Sequence, residues 1–405
     1  MPPSFLRPGA AYIIAEAGVN HDGKVEKARQ LIDIAAEARA DAVKFQLFNP
    51  KEIVSQGAPL AGYQERSGEE SQYQMLQRLA LPRNGYRDLK AYAEALGLDF
   101  ITTPFDADSA RFLASLGVKA MKIPSGEITN IPFLRDVATL RMFTIISTGM
   151  STLDEVREAV VPFEEMKTGY ALLHCVSSYP APADQINLRV MKTLEDAFHV
   201  PVGYSDHTEG IAVSVTAAKL GARILEKHFT INKNDPGPDH AASLEPEQLK
   251  EMIRIIKDSD ALKEAKIVQE ALGTGEKICQ PCEMNTRDVA RRSLVLTRDV
   301  KAGERITADM IAIKRPGTGI APKEFDAVLR KTLTRALPVG RFSRGSASGE
   351  AFVSRWSPMS PNTPFFLYTP LPCLRPTSIS APKSGFTLLA AYIARRKSGA
   401  RNSGS

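Results

Sequence analysis

Eight short apolar runs, separated by longer amphipathic stretches, constrain the fold of this chain more than any other feature. The runs lie at residues 12–17, 42–47, 98–104, 120–124, 143–148, 171–176, 202–206 and 223–229. Between most of them lie segments with helical periodicity, such as KVEKARQLIDIAAEA and TLDEVREAVVPFEEM, and several of these segments end in Gly. This alternation predicts a series of strand–helix units with parallel strands.

Eight parallel strands joined by helical crossovers close into a (β/α)₈ TIM barrel, which typically takes about 250 residues. The alternative is an open, doubly wound sheet. That alternative is weaker because no GxGxxG phosphate-binding motif follows the first run. We therefore expect an α/β chain whose residues 1–270 form a TIM barrel.

The rest of the chain divides into three parts. Residues 271–286, beginning near LGTGEK, are expected to form a linker. Residues 287–345 combine short apolar runs with turns rich in Gly and Pro, which predicts a small β-rich domain. Residues 346–405 are basic and rich in Ser and Pro, and we expect a disordered or poorly packed tail.

The charge distribution argues against nucleic acid as a partner. The formal net charge is +6, but residues 341–405 hold nine Lys and Arg against one acidic residue. The remaining 340 residues therefore hold 43 basic and 45 acidic side chains. A protein that reads nucleic acid carries its basic patch on the folded body, so we expect no nucleic-acid partner.

Cysteine usage and hydropathy indicate a cytoplasmic protein. The four cysteines are too few and too scattered for a disulfide framework, which fits a reducing compartment. The N-terminal segment has no apolar region of signal-peptide length, and no run of about 18 apolar residues occurs. We expect no membrane partner.

Polar residues stand where the predicted strands end. In a TIM barrel the catalytic groups lie at the carboxyl ends of the strands and in the loops beyond them. These positions hold Glu16, Lys44, Gln46, Thr102, Thr103, Lys122, Ser125, Glu127, Ser147, His174, Ser177, Ser205, His207, Glu226 and His228. Each buried polar group left unsatisfied costs about 1–3 kcal/mol. Such a concentration therefore predicts a ligand site.

Two subsets of these residues suggest specific chemistry. Lys44 and Lys122, together with the serine hydroxyls, suit a phosphate or carboxylate. The alternative is that each lysine pairs with Glu16, Glu127 or Glu226 inside the barrel. His207 and His228 end two adjacent strands, so their imidazoles can converge on one divalent metal ion and leave positions open for substrate. The alternative is two structural histidines.

Several segments together resemble the sialic acid synthase family. They include IIAEAGVNHDGKVEKARQLIDIAAEARADAVKFQLF, MKIPSGEITNIPFL, ISTGMSTLDEV, LLHCVSSYPAP, VGYSDHTEG and EKHFTINKNDPGPDHAAS. The unit that begins near Arg287 resembles the antifreeze-like (SAF) domain of that family. The resemblance covers residues 10–340 in order.

The resemblance implies an N-acetylneuraminate synthase-type transferase. Such an enzyme condenses phosphoenolpyruvate with N-acetylmannosamine or a related acylamino sugar and depends on a divalent metal, above all Mn²⁺, with Mg²⁺ or Co²⁺ as alternatives. It also implies a homodimer in which the SAF domain covers the partner's site. Alternatives are another phosphoenolpyruvate–aldose synthase, such as one acting on a phosphorylated sugar, and a non-catalytic carbohydrate-binding relative.

The resemblance also implies roles for individual residues. His207 and His228 match the metal ligands. The residues that match phosphoenolpyruvate contacts are Lys44, Thr102, Lys122, Ser125, Ser147, Ser177 and Ser205. Glu16, Glu127, Tyr179 and Asp239 match residues around the sugar, with Glu16, Lys44, Lys122 and Glu127 as the catalytic set. Arg315 matches an arginine that the SAF domain places over the acyl group. Ser177 stands where better-known members have Asn.

The chain departs from the family pattern after RALPVG. Members continue with a polar turn and a closing strand–helix element, whereas this chain continues with RFSRGSASGEAFVSRW. A shifted reading frame in the source sequence or a genuine extension would each produce such an ending. We expect protease sensitivity beyond about Gly340 and a less firmly held Arg315.

Overall fold

A computed structural model describes residues 3–56, 58–340 and 342. Apart from Phe342, the predicted protease-sensitive region beyond Gly340 lies outside the described residues, and so do the last residues of the predicted β-rich domain and the predicted tail at 346–405.

The eight apolar runs form the strands of a closed parallel barrel in sequence order, with the first and eighth strands paired. The strands are β1 Tyr12–Gly18, β2 Ala42–Leu47, β3 Asp99–Pro104, β4 Met121–Ile123, β5 Thr144–Ser147, β6 Tyr170–Cys175, β7 Val202–Asp206 and β8 Ile224–His228. The TIM barrel is thereby confirmed, and the open doubly wound sheet is excluded.

The helices of the described residues are α1 Val25–Glu37, α2 Pro50–Ile53, α3 Gln72–Leu79, α4 Gly85–Ala95, α5 Ala107–Leu116, α6 Ile131–Thr139, α7 Leu153–Glu165, α8 Val190–Phe198, α9 Ala212–Lys219, α10 Pro246–Lys257, α11 Ser259–Glu264, α12 Met284–Ala290 and α13 Phe325–Val328. Helices α1 to α11 belong to the barrel domain, α12 lies between the two domains and α13 lies in the second domain. Local sequence sets their ends. Before α7, the Thr152 hydroxyl accepts from the Glu155 amide and the Glu155 carboxylate accepts from the Thr152 amide. Among the described residues, no helix has the length and apolar character needed to cross a membrane.

The interior of the barrel is apolar at one end and polar at the other. Side chains of a strand alternate between its two faces, so every second residue points inward. Ile14, Ile101 and Ile145 pack together in one buried cluster inside the barrel. Two residues further along the same strands stand Glu16, Thr103 and Ser147, so the polar layer lies at the carboxyl ends. We call the apolar cluster the barrel floor.

The second domain contains two short antiparallel strands, β9 Ser293–Leu296 and β10 Ile311–Lys314. Its separate core includes Leu294, Leu296 and Ile306. The connector, residues 265–292, joins α11 to β9 and contains α12.

The second domain packs on the barrel of its own chain. The Arg315 amide donates to the Ile53 carbonyl at 3.0 Å, and the Ser55 amide donates to the Arg315 carbonyl at 3.1 Å. At the exposed rim, the Arg135 guanidinium lies 2.5 Å from the Asp326 carboxylate. These contacts bring the end of β10 to the carboxyl ends of the barrel strands.

Candidate active site

A cavity opens at the carboxyl ends of the barrel strands, and all eight strands contribute to its wall. The strand residues on the wall are Glu16, Lys44, Gln46, Thr103, Lys122, Ser147, Cys175, Ser205, Glu226 and His228. Loops and the second domain add Tyr63, Ser125, Ser177, Tyr179, His207, Asp239 and Arg315. Most of the residues predicted from strand ends therefore share one cavity.

Two lysines and two carboxylates lie at the centre of this cavity. Lys44 Nζ is 2.7 Å from Glu16 Oε1 and 3.7 Å from Glu226 Oε2. Lys122 Nζ is 3.4 Å from Glu226 Oε1, which also accepts from Ser205 Oγ at 3.0 Å. The lysines thus do pair inside the barrel, yet they also line the cavity. Glu226 pairs with both lysines; the sequence placed it among the polar strand ends and as a possible lysine partner, but assigned it no substrate or catalytic role.

Burial changes the acidity of these groups. It raises the pKa of Glu16 to about 7, although Lys44 opposes the shift. Burial opposes the charge on Lys44, but Glu16 and Glu226 outweigh it and raise the lysine pKa. Burial lowers the pKa of Lys122, which Glu226 only partly offsets. Since Glu16 is about half protonated near neutral pH, the cluster can gain or release a proton there.

Hydroxyl groups complete an anion cradle, which we define as Lys44, Lys122, Ser125, Ser147 and Ser177. Ser147 Oγ is buried and has no hydrogen-bond partner within the described part of the chain. Ser125 Oγ accepts from the Gly149 amide at 2.9 Å. The cradle therefore offers two cations and at least one free hydroxyl donor to an anionic ligand.

The structure corrects the placement of Thr102. Thr103, not Thr102, lines the cavity, and Thr103 Oγ1 accepts from Lys44 Nζ at 3.1 Å. The physical reason is strand alternation: Ile101 belongs to the barrel floor, so Thr103 shares its inward face and Thr102 does not.

The two predicted metal-binding imidazoles lie next to each other, with ring centroids 5.5 Å apart. His207 Nδ1 is 2.8 Å from the Val176 carbonyl, which places a ring proton on Nδ1 and makes Nε2 the nitrogen through which this ring would bind a metal ion. Burial lowers the pKa of His228 well below its usual value, so this ring is neutral. Its Nδ1 has no hydrogen-bond partner in the described residues and lies 3.9 Å from Asp239 Oδ2. Burial opposes the charge on His207, but Cys175 and the Val176 carbonyl outweigh it and raise the His207 pKa, so a metal ion would displace a proton from this ring. Two imidazoles beside a carboxylate fit a divalent transition metal.

Aromatic and cationic groups cover the mouth of the cavity. The Tyr179 ring lies 4.2 Å from the His207 ring and 4.6 Å from the Tyr63 ring. Arg315 is buried, and its Nε has no hydrogen-bond partner among residues 3–340 that the structure describes. An unpaired Nε on the cavity wall is a donor available to a ligand. Arg315 lies directly after β10 of the second domain.

The structure also corrects the position of Glu127, which was expected to face the sugar. Its side chain is fully buried and does not line the cavity. Glu127 Oε1 is 2.6 Å from Arg292 Nε and 2.5 Å from Arg292 Nη2, and Oε2 accepts from Asn130 at 2.8 Å. Glu127 therefore connects the barrel to the start of β9. Arg292 was missed because its partner is distant in sequence.

A second cluster of possible metal ligands lies outside the cavity, and a lysine ammonium group already pairs with its carboxylates. Asp22, Asp235 and His240 offer ligand atoms close together. However, Lys27 Nζ lies 2.6 Å from a carboxylate oxygen of each aspartate. His240 also contacts Thr230 Oγ1 at 2.7 Å through Nδ1. This cluster fastens the loop that carries Asp239 to the start of α1.

Comparisons with known proteins agree with this geometry. Residues 31–267 match the NeuB family, and residues 291–342 match the SAF domain. The chain is 44% identical over 336 residues to the N,N'-diacetyllegionaminic acid synthase of Legionella pneumophila, covering 81% of this chain and 92% of that protein. It is 33% identical over 331 residues to the human N-acetylneuraminate-9-phosphate synthase, and this match covers 80% of this chain and 88% of the human protein.

A solved structure is similar over the same region. The spore coat polysaccharide biosynthesis protein SpsE of Bacillus subtilis superimposes with a TM-score of 0.71 at 36% sequence identity. The match covers 82% of this chain and 93% of that one. Barrel and second domain are thus shared with these relatives.

Proposed function

The chain belongs to the NeuB family and carries a SAF domain, and from this membership we propose that it condenses phosphoenolpyruvate with an acylamino sugar such as N-acetylmannosamine, forming a sialic (nonulosonic) acid and phosphate. One observation carries the proposal: the anion cradle with Lys44 and Lys122 shares a cavity with the adjacent imidazoles of His207 and His228. An acidic three-carbon substrate and a carbonyl substrate can then meet there.

The reaction that fits has two bond-forming steps. C3 of phosphoenolpyruvate attacks the aldehyde carbon of the open-chain sugar, and water adds at C2. The resulting tetrahedral carbon expels inorganic phosphate and leaves a 2-keto acid. Lys44 and Lys122 hold the phosphate and carboxylate while their charge redistributes, and this fixed electrostatic support is the main catalytic contribution expected of the cradle.

His207 and His228 would hold a divalent ion, for which we propose Mn²⁺, with Mg²⁺ or Co²⁺ as alternatives. When bound, such an ion polarises the sugar aldehyde. The chain itself orients the ligands. The Val176 carbonyl fixes the tautomer of His207, and Asp239 lies beside His228.

Proton transfer is assigned to Glu16. Its Oε2 has no hydrogen-bond partner in the described part of the chain, and burial raises its pKa to about 7. A carboxylate of that pKa can accept the proton of the water that adds at C2. Arg315 would donate a hydrogen bond to the acyl oxygen of the sugar, because its guanidinium is buried and Nε is unpaired within the described residues.

The charges in the cavity favour a sugar without phosphate. Among the described residues, Lys44, Lys122 and Arg315 are the only Lys or Arg side chains on the wall. The first two are needed for phosphoenolpyruvate, so a phosphorylated sugar would have to rely on Arg315 alone. The name of the Legionella relative specifies an N,N'-diacetyl sugar acid without a phosphate group. A sugar substrate of that kind needs no second phosphate site.

Phosphate release tests the proposal. The protein is incubated with phosphoenolpyruvate, Mn²⁺ and one of four sugars: N-acetylmannosamine, its 6-phosphate, or the bis-acetamido precursor of legionaminic or pseudaminic acid. Released phosphate is measured, and the sugar acid is identified by mass spectrometry. We expect release with at least one unphosphorylated sugar. No release with any sugar would leave the carbohydrate-binding alternative, and release only with the 6-phosphate would favour the phosphorylated-sugar alternative.

The metal assignment has its own test. His228→Ala should lose bound metal and turnover, because one of two imidazole ligands is gone. His199→Ala is the matched control, since His199 is exposed and follows α8, away from the cavity. Metal content measured by mass spectrometry that is unchanged in His228→Ala would contradict the assignment.

We also propose a homodimer in which SAF domains cover the partner's site. Arg315→Ala and His228→Ala chains, each inactive, are mixed after partial denaturation and refolding. If each site combines a barrel and an SAF domain from different chains, mixed dimers contain one intact site and recover activity. No recovery, with dimers seen by light scattering, would mean that each chain completes its own site.

A further inference from the structure

The loop after β5 sets the distance between two serines of the anion cradle. Gly149 in this loop donates its amide to Ser125 Oγ at 2.9 Å. A Cβ added at Gly149 would lie 2.3 Å from Ser177 Oγ and 2.7 Å from Ser125 Oγ, so both hydroxyls sit against the backbone. The next residue, Met150, has a φ of 59°, a left-handed conformation that must be held by its surroundings.

The connector holds this loop with three charged side chains. Glu283 Oε1 accepts from the Met150 amide at 2.6 Å. Arg291 Nη2 donates to the Met150 carbonyl at 2.7 Å, and Lys277 Nζ donates to the Ser151 carbonyl at 2.8 Å. Three backbone groups of Met150 and Ser151 are therefore bound by side chains of the connector, and two of these side chains, Lys277 and Glu283, belong to the predicted linker at 271–286.

Glu283 is the member that joins this loop to the neighbouring one. Its Oε1 also accepts from the Ser177 amide at 2.7 Å, in the loop after β6. Its Oε2 accepts from the Gln280 amide at 2.8 Å within the connector. The side chain is fully buried. A carboxylate can accept several such bonds, and each is stronger than a bond between neutral groups.

We infer that Glu283 is a positioning residue that sets the geometry of the anion cradle and so the affinity for phosphoenolpyruvate. The inference rests on the proposed function. It makes the connector part of the site: docking of the connector holds the β5 and β6 loops, and these loops hold Ser125 and Ser177. Glu283 acts through the loops and does not touch the ligand.

The test measures phosphoenolpyruvate binding by titration calorimetry in the presence of Mn²⁺, and steady-state KM values for both substrates. Glu283→Ala removes the acceptor of the buried Met150 and Ser177 amides and of the Gln280 amide, so we expect phosphoenolpyruvate affinity to fall at least about 10-fold. Glu283→Gln retains one oxygen for both amides and should lose less. The KM for the sugar should change less than about twofold in either variant. Glu276→Ala, an exposed glutamate of the same connector, should behave as wild type.

Each outcome decides the inference. Unchanged phosphoenolpyruvate affinity in Glu283→Ala and Glu283→Gln would overturn it. An equal loss for both substrates, accompanied by a lower melting temperature, would also overturn it, because that pattern indicates general destabilisation. If Glu283→Ala does not fold, Glu283→Gln supplies the decision. If wild-type protein binds no phosphoenolpyruvate at all, the proposed function fails rather than this inference.

Discussion

The buried pair between Arg292 and Glu127 should make a large contribution to the free energy of unfolding. Arg292 is 4% exposed and Glu127 is fully buried. Arg292 also donates to the carbonyls of Phe105 at 2.5 Å and Ile313 at 3.1 Å. Replacing one member leaves the other charged and buried, which costs about 3–5 kcal/mol. We therefore expect Arg292→Met and Glu127→Gln each to lower the free energy of unfolding by this amount.

The double variant separates the interaction energy of the Arg292–Glu127 pair from the contacts that each side chain makes with other groups. If the two side chains act together, Arg292→Met/Glu127→Gln should cost about as much as one single variant, well below the sum of both. Urea unfolding followed by circular dichroism gives the three values. The control is Arg135→Ala, which breaks the interdomain pair with Asp326, where both side chains are more than half exposed; it should cost less than about 1 kcal/mol. Additive losses, or single losses as small as the control, would refute the reasoning.

Three further predictions concern the cavity. Thr103→Val removes the hydroxyl that contacts Lys44 and should raise the KM for phosphoenolpyruvate about 10-fold, whereas Thr102→Val should stay within about twofold. Because burial raises the pKa of Glu16 to about 7 and the reaction needs its carboxylate form, kcat/KM should rise with pH up to about 7 and then level off. In Glu16→Gln this rise of kcat/KM with pH should vanish. If the rise persisted in Glu16→Gln, another group would be responsible for it. Gly149→Ala places a Cβ 2.3 Å from a cradle hydroxyl and should abolish calorimetric binding of phosphoenolpyruvate, while Gly85→Ala, with its nearest contact at 3.6 Å, should bind normally.

Local pattern was enough to predict the barrel and most of its polar layer. Apolar runs and helical periodicity act over a few residues, so the strands and their order follow from them. The first and last residues of the observed strands differ by a residue or two from those of the apolar runs. The run at 98–104 forms a strand from Asp99, because hydrogen bonding to the neighbouring strand decides where pairing begins. Thr102 could not be distinguished from Thr103 by local pattern, because Phe100 and Ile101 are both apolar and buried, and only the structure shows which of them faces the barrel interior.

Other features of the site depend on residues far apart in the chain. Glu127 looks like any strand-end carboxylate until Arg292, 165 residues later, is placed against it. Glu283 lies in the predicted linker at 271–286, and only the closed barrel brings its carboxylate to the amides of Met150 and Ser177. Neither partnership leaves a periodic signal. Such contacts belong to the tertiary structure and not to any local sequence pattern.

The barrel floor makes the cavity a dead end. Ile14, Ile101 and Ile145 close the side opposite the strand carboxyl ends, so reactants must enter, and products must leave, at the carboxyl ends of the strands. If phosphoenolpyruvate binds against the two lysines, as proposed, it must arrive before the sugar covers it. Phosphate freed at that depth departs only after the sugar acid above it has gone. Steady-state kinetics should accordingly show ordered substrate binding and product release. Phosphate should inhibit competitively with respect to phosphoenolpyruvate, because both bind the empty enzyme.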